Sequence, residues 1–211
     1  MAKLCALCGK AKATTKDHIP PKGIYPKPYD PKINFKTVPA CAGCNNGASA
    51  DDEWFKVLIG VATGAYREDT QAVIDSVART IGNNQSVANQ LFRTHRDVYA
   101  QLRGELLEPA VAVTFDNKRY SAVISRIVQG LHWIEYGTAL GDEIDVRVMP
   151  AGMDRKLFLS MKDVMDCLPP KYLNNETFAY KFYKLDEGDI LWGMQFFKRH
   201  TVFAYVDALE T

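Results

Sequence analysis

Cys5-Ala6-Leu7-Cys8 and, further along, Val38-Pro39-Ala40-Cys41-Ala42-Gly43-Cys44-Asn45-Asn46 decide how the first part of this chain folds. Each Cys-x-x-Cys places two thiols on one tight turn, and two such turns close a tetrahedral four-sulfur shell around zinc, a structural site with no open position. Between the pairs stands Asp17-His18, and Asn45 follows the last cysteine. These are oxygen and nitrogen donors, which a thiolate-saturated zinc does not need. They predict a second, harder metal.

Working outward, the chain has 211 residues, 47% of them hydrophobic and 24% charged, enough for one good core or a small metal-braced module beside a larger unit. It contains no apolar run long enough to span a bilayer and no apolar leader, since Lys3, Cys5 and Cys8 interrupt its start. The expectation is a soluble, unprocessed, cytoplasmic protein, in which paired Cys-x-x-Cys means metal rather than disulfides. The fifth cysteine, Cys167, lies in the apolar setting Val164-Met165-Asp166-Cys167-Leu168 and reads as a buried thiol. Neither G-x-S-x-G nor G-x-x-x-x-G-K-[ST] occurs, so nucleophile-elbow hydrolysis and a phosphate loop lack support.

The formal net charge of +1 conceals an asymmetry: eight lysines against Asp17 and Asp30 give residues 1–50 a charge of +6, leaving −5 for the remainder. A cationic segment suits a polyanion such as nucleic acid, although lysines also serve plain solubility. Lys16, Lys22 and Lys36 are the candidate phosphate contacts.

Residues 1 to about 53 are rich in Pro, Gly, Lys and Cys and lack the apolar content for a core of their own, so zinc is expected to supply much of their stability. Asp51-Asp52-Glu53 then suits a helix N-terminus, and Trp54, Val57, Leu58 and Val61 recur at helical spacing. Helical patterning continues from about 69 to 103, broken at Gly82-Asn83-Asn84, and a short strand is expected over 111–115. The strongest helical signal runs from 119 to 136, through Tyr120, Val123, Ile124, Ile127, Val128, Leu131 and Ile134 to a C-cap at Gly137. The last third reads as β, with strands over 143–149, 177–185, 189–197 and 201–206 and a turn at Glu187-Gly188. His95, His132 and His200 fall in these patterns without a ligand set and read as structural.

Cys5-x-x-Cys8, Lys16-Asp17-His18-Ile19-Pro20, Asn34 and Val38 to Asn46 together resemble the HNH endonuclease family with its ββα-metal motif, over about a quarter of the chain. The resemblance implies that the four cysteines hold a structural zinc and that Asp17 and Asn45 bind a catalytic divalent ion, Mg2+ or Mn2+. It further implies that His18 is the general base and that Asn34 orients it. The chemistry is coherent, because an imidazole with an ordinary pKa of about 6.5 can take a proton from water near neutrality. A hard ion held by a carboxylate and an amide oxygen keeps positions open for the phosphate. One geometric demand follows. Adjacent strand residues face opposite sides, so the strand carrying Asp17 and His18 should end or distort there.

The sequence therefore predicts an α+β protein: a zinc-braced ββα-metal nuclease module over 1–60, then a larger helix-plus-antiparallel-sheet domain over 61–211. The implied activity is metal-dependent phosphodiester hydrolysis of nucleic acid, with DNA the expected substrate. Two other classes stand beside it. One is a non-catalytic zinc-knuckle module binding nucleic acid or a protein partner. The other makes the C-terminal domain the functional centre, as a sensor or a site of homo-oligomer formation.

Overall fold

The computed structural model describes residues 3–63, 71–100, 107–114, 116–141, 145–150, 154–185 and 188–207. Parts of the sequence expectations, namely helix over 69–70 and 101–103, strand at 115 and 143–144, and the turn residue Glu187, lie outside the described residues.

Two short antiparallel strands, β1 (Thr15–His18) and β2 (Thr37–Ala40), pair with Asp17 opposite Val38 and His18 opposite Thr37. Helix α1 (Ala42–Asn46) follows at once, with Cys41 as its N-cap. Helix α2 (Ser49–Thr63) comes next, then α3 (Gln71–Asn83) and α4 (Gln85–Thr94). Asn84 marks the expected break, its side chain accepting from the Val87 amide to cap α4. A separate hairpin of β3 (Arg96–Ala100) and β4 (Glu108–Ala112) leads to α5 (Asn117–Tyr136). Asp116 caps α5 at its start, and Gly137, at φ 71°, adopts the left-handed conformation that ends it. After β5 (Val146–Pro150) and α6 (Arg155–Asp166), strands β6 (Lys171–Leu173), β7 (Phe178–Lys184), β8 (Ile190–Phe196) and β9 (His200–Val206) complete an antiparallel sheet in the order β5-β9-β8-β7-β6.

The α+β class is as expected, with three local corrections. Residues 96–100 are strand rather than helix, and the paired strand after Pro109 begins earlier, at Glu108. Helix α6 interrupts the β-rich third; Phe158, Met161 and Met165, with Leu168 just beyond its end, pack against the sheet, while Leu157, Leu159 and Val164 stay exposed and blur the apolar period. Cys167 is exposed, because it caps the end of α6, where the chain turns outward.

The period-two alternation of the sheet divides its faces. Phe178, Tyr180, Ile190, Trp192, Met194, Phe196, Val202, Ala204 and Val206 face the main core, whereas Leu191 and Phe203 meet Met165 of α6 on the other side. Helix α5 is the axis of that main core, buried at Tyr120, Val123, Ile124, Ile127, Val128 and Leu131. The same cluster takes in Cys5, Ala6, Leu7, Ile19, Ile24, Tyr25, Val38 and Ala40 from the N-terminal segment. Helix α2 serves two cores: Phe55 and Ile59 face the main one, while Trp54 and Val57 pack with Val77 and Val87. Val61, expected on that stripe, is exposed. Gly60 lets α2 and α3 approach closely, since a Cβ there would lie 2.2 Å from Cγ2 of Val77. No helix among the described residues is long and apolar enough to cross a membrane.

Candidate functional site

The two knuckles meet. The sulfurs of Cys5, Cys8, Cys41 and Cys44 all lie within 4.8 Å of one another, and none is in a disulfide. A tetrahedral shell with metal–sulfur bonds of about 2.3 Å needs sulfur–sulfur edges of about 3.8 Å, so the four cysteines are positioned to hold a metal ion. Backbone ties make the site: the Cys5 amide donates to Ala11 O at 2.8 Å, Gly9 N to Cys5 O at 2.9 Å, and Ala6 N to Pro39 O at 2.8 Å, fastening the first knuckle to β2. The Cys44 amide donates to Sγ of Cys41 at 3.4 Å. Amides of Ala11 and Lys10 pull the Cys8 thiol down to about 7. Burial and the neighbouring sulfurs push the Cys44 thiol up.

Asp17 and His18 are the last two residues of β1 and keep regular register with Val38 and Thr37, without the distortion expected between them, and their surroundings differ. Asp17 is buried, with Oδ1 accepting from the His18 amide at 2.8 Å. Its Oδ2 lies 3.2 Å from Nε of Arg126 on α5, an ion pair without the alignment of a hydrogen bond, so both atoms are buried and geometrically unsatisfied. The same guanidinium donates through Nη2 to Asp52 on α2. One turn further along α5, Gly130 receives Ile19: a Cβ on Gly130 would stand 2.3 Å from Ile19 Cδ1 and 2.5 Å from Cγ1. Residues i and i+2 of a strand share a face, as do i and i+4 of a helix, so Asp17 and Ile19 dock onto Arg126 and Gly130 as matched pairs. Burial raises the Asp17 carboxyl, and Arg126 opposes the shift. Asp52 is raised by burial in the same way.

His18 is half-buried, with the Phe35 ring edge-on at a centroid distance of 6.0 Å. Burial and the nearby Lys22 charge lower its pKa while Asp17 raises it, which favours the neutral imidazole at neutrality. Asn45 lies on the Asp17 side of β1, its Nδ2 donating to Thr15 Oγ1 at 3.2 Å and to Lys16 O at 3.4 Å. Its Oδ1 accepts no hydrogen bond from the described residues. Asn34 is exposed and makes no side-chain hydrogen bond among them. Of the candidate phosphate contacts, Lys16 and Lys36 are exposed, whereas Lys22 is spent on aromatic faces, its Nζ 4.3 Å from the Tyr29 centroid and 4.8 Å from that of Phe35.

Several supporting residues escaped the sequence reading. Arg126 and Asp52 surround Asp17, and Arg119, two turns before Arg126, donates through Nε to Asp51 at 2.7 Å. The loop carrying Phe35 is held from the far end of the chain: buried Asn174 donates to the Tyr25 hydroxyl at 2.8 Å and accepts from the Lys36 amide at 3.2 Å. Phe197 stacks edge-on to Tyr25 at 5.7 Å from a turn whose φ is +49°. A non-glycine residue in that region signals a conformation fixed by its surroundings. Asn174, Asn175 and Glu176 are left-handed too.

No family model matches the chain, and no curated protein or solved structure matches it significantly.

Proposed function

We propose that the protein is a metal-dependent endonuclease of the HNH type that hydrolyses phosphodiester bonds in DNA, with zinc in the four-cysteine site and His18 as general base. The observation that carries the reading is the donor set beside one hairpin: a half-buried imidazole kept neutral, a buried carboxylate with an orphaned oxygen, and an amide oxygen without a described partner. Asp17 Oδ2 and Asn45 Oδ1 fit a hard divalent ion such as Mg2+ or Mn2+ in donor type. When bound, that ion supplies electrostatic stabilisation to the phosphate oxygens on which charge develops.

The remaining roles belong to the chain. His18 accepts the proton of an attacking water, and edge-on Phe35 restricts its ring plane. The His18 amide fixes the Asp17 carboxylate by holding Oδ1, with Oδ2 set 3.2 Å from Nε of Arg126. Arg126, shared with Asp52, balances the buried negative charge when only protein surrounds it.

That last contact also supports the second reading, a zinc-braced binding module in which Asp17 is an architectural ion-pair partner. Plasmid incubated with the purified protein and Mg2+ or Mn2+ separates the two. A nuclease nicks or linearises it, and His18→Ala lowers the rate by on the order of 10² to 10⁴ while zinc content and folding persist. Absence of cleavage by the wild type, or equal activity in His18→Ala, removes His18 as base.

A further inference from the structure

A cleft of about 750 Å³ opens between the proline-rich loop after His18 and helices α2 and α3, beside the candidate site. Its size is at the upper end of the roughly 300–1,000 Å³ found for ligand sites. Asp52 reaches both places, lining the cleft while holding Arg126 against Asp17. Three cations converge in it: Lys27 from the loop, Lys56 from α2 and Arg79 from α3. Among the described residues, none of the three has a carboxylate within 4.0 Å. Neutral groups hold them instead. Lys56 Nζ donates to Thr80 Oγ1 at 2.9 Å, and Arg79 Nη2 to Lys27 O at 3.4 Å.

Of the acids in the cleft, Asp52 is paired with Arg126, while Glu53 accepts from the neutral Asn84 amide and keeps its charge, so the lining still carries an excess of cations. Lys27, Lys56 and Arg79 repel one another at the opening; burial lowers the Lys56 pKa most, Glu53 opposes the shift, and Arg79 and Lys27 add to it. A ligand with one negative charge would leave most of that repulsion in place. A run of phosphates would match it.

We infer that this cleft is a second contact surface for the phosphodiester backbone of a nucleic-acid strand, with Lys27, Lys56 and Arg79 as its phosphate contacts, outside the cysteine-braced hairpin. The inference rests on the proposed nuclease reading only for placing the reactive phosphate near His18. The helices α2 and α3 thereby gain a function: Gly60 sets their close approach, which brings Lys56 and Arg79 to one opening.

The test is binding of a labelled oligonucleotide, as single-stranded DNA, single-stranded RNA and duplex DNA, to the full-length zinc-loaded protein across a salt series without added Mg2+ or Mn2+. Lys27→Gln/Lys56→Gln/Arg79→Gln should flatten the slope of log K against log salt by up to about 2 on single strands, at about 0.7 per lost contact, and somewhat more on duplex. The probe most affected identifies the strand type. Should the triple variant lose zinc or helical signal, Lys27→Gln and Arg79→Gln, at exposed positions, must each remove close to one contact of slope. Unchanged affinity and slope on all three probes, or no binding by the wild type, overturns the inference. Loss of slope in a protein that never cleaves plasmid would sink the nuclease reading and leave this surface standing; intact slope in a protein that cleaves would do the reverse.

Discussion

Replacing Gly130 with alanine should destabilise the protein, against the ordinary trend for glycine in a helix. The Cβ would enter 2.3 Å from Cδ1 and 2.5 Å from Cγ1 of Ile19, where ordinary carbon contacts lie at about 3.5–4.0 Å, so Ile19 must yield by more than about 1 Å. It has little room, being fully buried with its amide bonded to Lys36 O at 2.9 Å. Overpacking of this kind costs about 1–3 kcal/mol, and the gain in helix propensity returns about 1 kcal/mol, for a net loss of up to about 2 kcal/mol. Gly82→Ala in α3 is the internal standard, since nothing lies within 4 Å of the added atom and only the propensity gain of up to about 1 kcal/mol applies. Urea unfolding at constant m-value should therefore separate the two variants by about 1–3 kcal/mol. Ile19→Ala should remove most of that gap in a double-mutant cycle. If Gly130→Ala proves as stabilising as Gly82→Ala, the docking of β1 onto α5 is not as described, and the position of Asp17 beside Arg126 goes with it.

Arg126→Met should cost about 3–5 kcal/mol by leaving buried Asp17 and half-buried Asp52 without a cation, and much of this should return with Asp17→Asn; a cost under 1 kcal/mol by chemical denaturation would show the network to be dispensable. His200 Nε2 and the Tyr120 hydroxyl share a hydrogen bond at 2.7 Å, and burial pulls the His200 pKa down to about 4. The unfolded chain, with its histidine near 6.5, binds that proton first, so stability is full above about pH 6.5 and falls as pH drops toward 4. The loss should be about 2 kcal/mol between pH 7.5 and pH 5, and His200→Gln should flatten that part of the profile. Elemental analysis should find one zinc per chain, lost in Cys41→Ser/Cys44→Ser; a wild type that purifies with no metal and keeps its stability in chelator would end the zinc assignment.

Features written in local sequence were readable. The two knuckles needed only cysteine spacing, α5 only its apolar period and Gly137, and β7 to β9 only runs of aromatic and β-branched residues between turn signals. On α6 the packed stripe of Phe158, Met161, Met165 and Leu168 is interleaved with exposed Leu157, Leu159 and Val164, which blurs its period. Cys167 misled for the same reason, since its apolar neighbours belong to a half-exposed helix end. The environment of the candidate site was hidden differently. An arginine within an apolar stripe reads as a solvent-facing interruption, and only folding brings Arg126 to Asp17 and Asp52. Asn174 likewise reads as turn chemistry until it meets Tyr25, 149 residues away in the chain. Pairings of this range carry no periodic or spacing signal.

The N-terminal knuckles and the C-terminal sheet share one hydrophobic cluster, which sets an order of events during synthesis. Cys44 is made some 160 residues before the end of β9, and at about 5–20 residues per second that is a delay of roughly 8–30 s. Through that interval Leu7, Ile19 and Val38 have no sheet to cover them, and the late-arriving Trp192 and Phe196 belong to their final environment. A nascent chain that captures its metal early would wait as a folded knuckle with one greasy side. A nascent chain in a metal-starved cell would wait as four free thiols beside exposed hydrophobic surface, open to chaperones, oxidants and aggregation.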